Sequence, residues 1–355
     1  MKLFDLKFMM IIMKAKKTND HYVSQTYLRR FLTPGKNTLF AYYKDKDGFF
    51  EPTTGVICAS KGWDNLDADG TVPPFLKRQQ LALETHLSSC LDMLTVQPLL
   101  DTDRFALSLW LATVFSISPH SLTHMGEFLK AMGELTTEII MKRPSKNISE
   151  EDIRFYNEHK EEIELSVNKY YPKQLAMTTL YSIALGIYMA NWRVSTNKTS
   201  WKFLTCDKPF HFICWNDNPQ NLFNPKGIAI DPEHYLMVEP LPVELHEQIK
   251  NNKDKDYTYF QAGKTTYDCF EVLNRHNMNA IRFINQHTVY NADRFIISAH
   301  HSKNIADFVR HNRKFSTDKV LERIDLDDKH HIIMGRLKNN FPNLNPRRKN
   351  KKPRK

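Results

Sequence analysis

Two polar side chains near the N-terminus have types and a spacing that could support chemistry. His21 and Gln25 lie in the stretch HYVSQ, four residues apart. At that spacing they share one face of a helix and also one face of a strand. A histidine held among apolar residues can donate or accept a proton near neutral pH, and a glutamine beside it can hydrogen-bond a phosphate, a base edge or the imidazole. The alternative is structural: His21 caps a turn or helix start, and Gln25 satisfies buried backbone groups.

Two charged residues much later in the chain could complete such a site. Asp207 follows the apolar stretch WKFLTC, where a carboxylate at the mouth of a sheet could orient His21 or bind a metal, with Thr205 in the same polar network. The alternative is that Asp207 caps a turn. Arg294 lies between a predicted helix and a predicted strand and could clamp a phosphate or carboxylate through two hydrogen bonds. Its alternative is a structural ion pair with Asp293 or Asp207.

Metal and nucleotide motifs are weak or absent in the sequence. His120 and His124 have the helical spacing of a metal-binding pair, but Pro119 is expected to break the helix there and no third ligand is near. The five cysteines form no CxxC pair, which favours reduced thiols and a cytoplasmic location. We find no GxGxxG, GxxxxGK[ST], HExxH or GxSxG motif, so dinucleotide, P-loop, zincin and α/β-hydrolase classes lack support. The cofactor is therefore open: a divalent metal is compatible with the site, but no ligand set indicates one.

The positive charge is concentrated at the C-terminus. The chain carries a net charge of +10, and the last eleven residues contribute seven cations and no acid, which leaves +3 for the remainder. A segment of this composition is predicted to be disordered and to attract the phosphates of RNA or DNA without reading sequence. The alternative is a solubilising terminus. The seven candidate nucleic-acid-binding residues are Arg347, Arg348, Lys349, Lys351, Lys352, Arg354 and Lys355.

The order of predicted elements indicates the fold class. Residues 39–43 and a strand from Phe49 form a predicted hairpin around a turn at 46–48. A helical block follows, then short β-like runs from Ser200, and finally a helix, a strand and a closing helix. We therefore predict an α+β fold in which a central helical block separates N-terminal and C-terminal β elements that share one sheet region.

The chain is expected to form a single domain with short extensions. We predict an N-terminal extension over residues 1–18, one α+β domain over 19–340 with a helical subdomain at about 75–194, and the basic tail over 341–355. The apolar run at residues 8–13 is too short for a signal peptide or a membrane span, and Met1 and Met13 are alternative starts. The uncharged stretch at 174–192 contains enough polar residues that we expect a buried core helix and no membrane partner.

Four stretches of the sequence resemble one known family. HYVSQTYLRRF resembles its HYVPQxYLxxF opening, and FLTCDKPF after Trp192 resembles its FITSDNPV segment. GIAIDPEHYLMVEP and INQHTVYNADRFIIS resemble two further, less specific segments. The family is the mainly bacterial domain of unknown function 4238, and the resemblance spans residues 19–312. It implies no particular activity, but such proteins often carry a glutamate where Glu84 stands.

The sequence departs from this family at several positions. Ser24 replaces the usual proline, Cys206 the usual serine and Lys208 the usual asparagine. The stretch SISPHSL lacks an Arg-Thr-Pro motif often seen there, so any role of that arginine would fall to His120 or His124.

These residues support one functional hypothesis and two alternatives. The first is an enzyme that cleaves phosphodiesters, with His21 as acid or base, Asp207 as its orienting group or a metal ligand, and Arg294 stabilising charge on phosphate. By analogy, a toxin or anti-phage effector acting on nucleic acid would suit such a chain. The second is a non-catalytic module that binds a ligand or nucleic acid with the same residues. In the third, the polar set is purely architectural.

Overall fold

The computed structural model describes residues 19–61, 75–142, 148–213, 224–240 and 269–316, together with four short strands between 319 and 339. The predicted extension at 1–18 and the basic tail at 341–355, with its seven candidate residues, lie outside the described residues. The α+β class predicted from the sequence is confirmed, since a block of long helices lies between N-terminal and C-terminal strands that form several sheets. The domain division stays a prediction.

The described part of the chain contains helices and strands with the following bounds. The helices are α1 (Gln25–Leu28), α2 (Phe75–Leu94), α3 (Asp101–Ser116), α4 (Pro119–Lys142), α5 (Glu150–His159), α6 (Tyr171–Met189), α7 (Met278–Asn291) and α8 (Lys303–Asn312). The strands are β1 (Asn19–His21), β2 (Phe40–Tyr43), β3 (Phe49–Phe50), β4 (Ala59–Lys61), β5 (Asn191–Asn197), β6 (Thr205–Cys206), β7 (His211–Phe212), β8 (Lys226–Ala229), β9 (His234–Glu239), β10 (Cys269–Leu273), β11 (Phe295–Ser298), β12 (Lys319–Leu321), β13 (Ile324–Leu326), β14 (Ile332–Met334) and β15 (Leu337–Asn339).

A four-stranded antiparallel sheet joins the two ends of the described chain. Its strand order is β3-β2-β11-β6, and Phe295 lies opposite Tyr43 while Ile297 lies opposite Thr205. The β2–β3 hairpin confirms the predicted one, and Gly48 in its turn has a φ of 109°, a conformation that glycine adopts without steric cost. N-terminal and C-terminal segments therefore share a sheet, as the sequence predicted.

A second sheet has five strands in the order β10-β5-β9-β8-β7. β5 pairs antiparallel with β9 and parallel with β10. On β8, a Cβ at Gly227 would lie 2.0 Å from the Tyr235 hydroxyl oxygen, so this position accepts only glycine without movement of the buried tyrosine ring.

The helical block packs through α3 and α6, which carry the apolar residues of the core. The buried face of α6 includes Ala176, Leu180, Ala184 and Ile187, spaced three or four apart as a helix facing a core requires. Arg104 of α3 is buried against the start of the second sheet, with its guanidinium 4.3 Å from the Trp192 ring centre.

No single helix in the described part of the chain has the length and apolar composition to cross a membrane. α3 and α4, which are bent by 60° relative to each other, reach that length and apolar composition only when the two helices are taken together.

The segment that contains His21 and Gln25 changes conformation within a few residues. β1 pairs antiparallel with β4, with His21 opposite Ala59. Ser24 then caps α1 by accepting the Thr26 backbone N–H at 3.2 Å. A 3₁₀ turn, Arg29–Phe31, continues the helix. The strand-to-helix change places the side chains of residues 21 and 25 together.

Candidate functional site

Tyr27 makes the direct link between the N-terminal motif and the TCDKPF segment. Its hydroxyl lies 2.6 Å from the Thr205 Oγ1 and donates to the Ala229 carbonyl at 2.7 Å. The ring is fully buried and packs at 5.5 Å from the rings of Phe31 and Trp110. Thr205 does belong to a polar network, but its partner is a structural tyrosine.

Arg30 makes a second link that the sequence reasoning missed. Its Nε donates to the Ile230 carbonyl at 3.0 Å, and its two Nη atoms lie 2.6 Å from Asp92 and 3.3 Å from Asp231. One guanidinium thus ties the 3₁₀ turn to the end of α2 and to the β8–β9 turn. The run of polar and aromatic letters in TYLRRF was the available signal, because a partly buried arginine requires several partners.

His21 and Gln25 are in contact. The Gln25 amide nitrogen lies 3.3 Å from the His21 Nδ1, so with the amide in this orientation the imidazole accepts there and carries its proton on Nε2. The His21 Nε2 is covered by neighbouring atoms and has no hydrogen-bond partner among the described residues. This ring has one nitrogen held and one unused, which leaves a buried donor unsatisfied.

Both side-chain oxygens of Asp207 are hydrogen-bonded to the protein backbone. Its side chain is 1% exposed, and its two oxygens accept the backbone N–H groups of Asp293 at 3.0 Å and Arg294 at 2.8 Å. Burial, aided by the nearby Asp293 carboxylate, raises the pKa of Asp207 to about 6, despite the opposing effect of the two hydrogen bonds. No hydrogen bond joins Asp207 to His21 in the described part of the chain, so the carboxylate anchors the turn before β11 and does not orient that imidazole.

Arg294 has its backbone and its side chain in different environments. The backbone N–H is bound to Asp207, whereas the guanidinium is exposed and lies 5.0 Å from the Phe295 ring centre. It forms no ion pair with a carboxylate of the described residues. The adjacent Asp293 instead accepts from the His120 Nδ1 at 3.2 Å. Arg294 is therefore anchored through its backbone, and its guanidinium is available to an external anion.

Glu84 is not connected to the other candidates. It lies on α2, is partly exposed, and makes no hydrogen bond or ion pair with the described residues.

The two histidines considered for a metal lie on α4. Their rings, at positions 120 and 124, are 4.2 Å apart, and His124 contacts Glu127 at 3.1 Å. Pro119 begins α4 and does not break it, because proline suits the first turn of a helix. No group of three or more His, Cys, Asp or Glu residues within the described ranges is arranged to hold a metal.

Buried thiols and a phenol surround Asp207. Burial raises the pKa values of Tyr22, Cys58 and Cys206 above their ordinary ranges, and the nearby Asp207 carboxylate acts in the same direction on each. All three groups are neutral at physiological pH. Because a thiol reacts as its thiolate, neither cysteine is activated as a nucleophile.

Three aromatic rings on the neighbouring strands β3, β2 and β11 form a row that is flanked by two cations, Lys46 and Arg294. Tyr43 stacks on Phe50 at 5.2 Å, and Phe295 lies 5.6 Å from Phe50 and 6.1 Å from Tyr43. Arg294 lies over Phe295, and the Lys46 ammonium lies 4.4 Å from the Tyr43 ring centre. We call these five residues the cation–aromatic row.

Two features of the row suit it to an external ligand. Its rings are only partly buried, and neither Lys46 nor Arg294 has a carboxylate partner in the described part of the chain. Sequence reasoning missed it, although the aromatic residues in both strands of the predicted hairpin were a signal that some of them pack across the strand pair.

Comparison with known proteins gives one match. The model of the family described as "Protein of unknown function (DUF4238)" matches residues 19–302. No curated protein and no solved structure matches the chain. The matched region contains the N-terminal motif, Asp207 and Arg294, as the resemblance in the sequence predicted. Since the match covers most of the 355 residues, the chain belongs to the DUF4238 family.

Proposed function

We propose that this chain binds single-stranded nucleic acid inside the cell, along the cation–aromatic row, and that the polar residues of its family signature form the framework of that surface. The observation that carries the proposal is the placement of Lys46 over Tyr43 and of Arg294 over Phe295, two rings of a three-ring cluster, with neither cation neutralised by a described carboxylate.

The chemistry of the row suits an unpaired strand. Bases of any sequence stack on aromatic side chains, and each such contact contributes about 1–3 kcal/mol when measured by alanine substitution. The guanidinium and ammonium groups attract the phosphates that connect the bases. The basic tail, with seven cations, would add sequence-independent attraction to the same polymer.

The framework role explains why Tyr27, Thr205 and Asp207 are themselves buried. Asp207 accepts the backbone N–H of Arg294, and the Tyr27 hydroxyl is hydrogen-bonded to Thr205. These contacts fix the start of β11, which Arg294 directly precedes. A carboxylate with both oxygens bound to backbone amides is a poor metal ligand.

Binding of short labelled single-stranded RNA and DNA, followed by fluorescence anisotropy, tests the proposal. Arg294→Gln should weaken binding about fivefold and reduce the salt slope by about one. The matched control is Arg282→Gln, because Arg282 is also an exposed arginine stacked on an aromatic ring, Trp201, at 5.0 Å. Equal losses from both variants would remove the row as the binding surface.

The aromatic part of the row needs its own variant. Phe50→Leu removes a stacking ring with a small change in volume and should weaken binding about tenfold. Phe155, an exposed phenylalanine on α5, provides the control as Phe155→Leu. Thermal unfolding of each variant checks that the fold is retained.

A second function, phosphodiester cleavage as in a toxin or anti-phage effector, is favoured by one observation. The His21 Nδ1 is held by Gln25 while Nε2 has no partner among the described residues, which is the arrangement of an imidazole that transfers a proton. Because Nε2 is covered, cleavage requires the segment to open when substrate binds.

Expression in bacteria distinguishes the two functions. Cleavage predicts that wild type slows growth and degrades RNA or DNA, and that His21→Ala abolishes both effects. His276→Ala, at an exposed histidine outside the site, should leave them unchanged. Intact nucleic acid and equal growth for all three proteins would eliminate cleavage and leave the binding function.

A further inference from the structure

A groove lies between the β2–β3 hairpin and α8. Its volume is about 250 Å³, and its walls include Lys46, Asp47, Phe49, Arg310 and Arg313. Binding sites for drug-sized molecules usually occupy about 300–1,000 Å³, so this groove fits one small ligand and not an extended polymer.

Arg313 is the most buried cation in the groove wall and is incompletely paired. Its Nη2 lies 3.1 Å from the Asp47 Oδ1, and the two side chains are 20% and 72% exposed, respectively. Its Nη1 is covered by neighbouring atoms and has no hydrogen-bond partner among the described residues. The arginine is thus held on one side by a carboxylate that stands largely in water, where such a pair contributes little.

The charges around the groove leave an excess of positive charge. Arg310 is paired with Asp307 at 2.6 Å, and Asp47 is paired with Arg313. Lys46 has no carboxylate partner in the described part of the chain and stacks on Tyr43. The net preference of the groove is therefore for an anion.

An aromatic surface completes one wall. Phe49 is 41% exposed and stacks on His301, with ring centres 4.1 Å apart. The His301 Nδ1 lies 2.9 Å from the Tyr42 hydroxyl, which fixes the imidazole against this wall. A planar ring in the groove would find a rigid aromatic partner beside the cations.

We propose that this groove binds the phosphate of a mononucleotide unit, either a free nucleotide or the terminal phosphate of a strand. The phosphate displaces the exposed Asp47 from Arg313, because a guanidinium binds phosphate through two parallel hydrogen bonds and can turn its unsatisfied Nη1 toward the second oxygen. The base lies on Phe49. This site is distinct from the row proposed for strand binding, although Tyr43 and Lys46 belong to both.

Calorimetric titration of the full chain with adenosine 5′-monophosphate, adenosine and inorganic phosphate tests the site. We expect the nucleotide to bind more tightly than phosphate, and adenosine to bind least. Titration with single strands that carry or lack a 5′-phosphate distinguishes the two sources: a preference for the phosphorylated strand over the free nucleotide identifies a strand terminus. Absence of binding by the nucleotide and by the phosphorylated strand would overturn the proposal.

Two variants with opposite expected signs make the test specific. Arg313→Gln should weaken nucleotide binding by about tenfold or more, whereas Asp47→Asn should strengthen it about threefold by removing the competing carboxylate. Arg275→Gln, at an exposed arginine of the 3₁₀ turn before α7, is the control for net charge and should change binding by less than about twofold.

The outcomes separate this proposal from strand binding. Equal weakening by Arg313→Gln and Arg275→Gln, or unchanged or weaker binding by Asp47→Asn, would overturn the groove site. If Arg313→Gln does not fold, Asp47→Asn still decides the matter, because no structural loss produces tighter binding. Arg294→Gln should leave nucleotide binding unchanged. The proposal for strand binding at the row and the proposal for nucleotide binding in the groove can therefore be rejected independently.

Discussion

Asp207 accepts the backbone N–H of Arg294 at 2.8 Å, while the guanidinium of the same arginine lies exposed over Phe295. A buried carboxylate thus positions a surface cation through its backbone, and the guanidinium has no carboxylate partner among the described residues. Asp293, the neighbouring acid, contacts His120 and receives its own backbone support from Asp207. Asp207 and Arg294 act together, but not as two members of one catalytic centre. Asp207 anchors the backbone, and Arg294 presents its guanidinium at the surface.

The raised pKa of Asp207 predicts a specific pH dependence of stability. Its folded-state pKa of about 6 lies above the ordinary value of 3.8, so the folded protein binds this proton more tightly than the unfolded chain. The resulting stabilisation is fully present below about pH 4 and is lost as the pH rises through 6, by an amount on the order of 3 kcal/mol.

Asp207→Asn tests this dependence, because the amide does not titrate. The free energy of unfolding of wild type minus that of the variant should fall between about pH 4 and pH 7, measured by urea denaturation. At every pH the variant also loses an acceptor for one of the two backbone N–H groups, which costs about 1–3 kcal/mol. A difference that is independent of pH would contradict the raised pKa.

The hydroxyl of Tyr27 should contribute strongly to stability. Tyr27→Phe leaves the ring packing intact but removes the partner of Thr205 and of the Ala229 carbonyl, both of which are buried. We expect a loss of about 1–3 kcal/mol in the free energy of unfolding. The control is Tyr181→Phe, at a tyrosine that is 62% exposed. Equal effects of the two substitutions would show that the buried hydroxyl is not important.

Two glycines should respond to alanine with opposite signs. At Gly227 the added Cβ would collide with the buried Tyr235, so Gly227→Ala should destabilise the protein by about 1–3 kcal/mol. At Gly186, inside α6, no atom lies within 4 Å of the added Cβ, and alanine should stabilise the helix by about 0.5–1 kcal/mol. Thermal unfolding measures both, and a stabilising Gly227→Ala would contradict the close contact on β8.

Deletion of residues 345–355 should change the salt dependence of nucleic-acid binding. The segment carries seven Lys and Arg residues and no acid. The slope of log affinity against log salt should become shallower by up to about 5 if all seven contact a single strand. Anisotropy at several salt concentrations measures the slope. An unchanged slope would assign all phosphate contacts to the folded domain, where Arg294→Gln then remains the informative variant.

The local features of the fold were predictable because nearby residues decide them. The β2–β3 hairpin followed from two aromatic-rich runs on either side of the turn at 46–48, and the core position of α6 followed from its uncharged composition. The beginning of α4 was predicted less well. Pro119 was interpreted as a break, whereas its fixed φ is compatible with the first turn of a helix, and only the packing of the following residues decides between the two.

The candidate site was predictable in its members and not in their arrangement. The motifs indicated that His21 and Gln25, Asp207, and Arg294 belong to three segments of a DUF4238 protein, and the contact of His21 with Gln25 followed from their spacing. The partner of Asp207 did not follow, because a carboxylate can bind a histidine, a guanidinium or a backbone amide equally well by type.

The sequence by itself determined the family, the α+β class, the hairpin and the concentration of charge in the tail, since these depend on composition and on neighbours along the chain. Only the tertiary structure decided which polar groups are hydrogen-bonded within the protein and which can bind an external ligand. Tyr27 contacts Thr205 across 178 positions of sequence, and Asp207 binds the backbone N–H of Arg294 and not its guanidinium. The physical reason is that hydrogen-bond partners are allocated by proximity and burial, and both arise only when distant segments pack together.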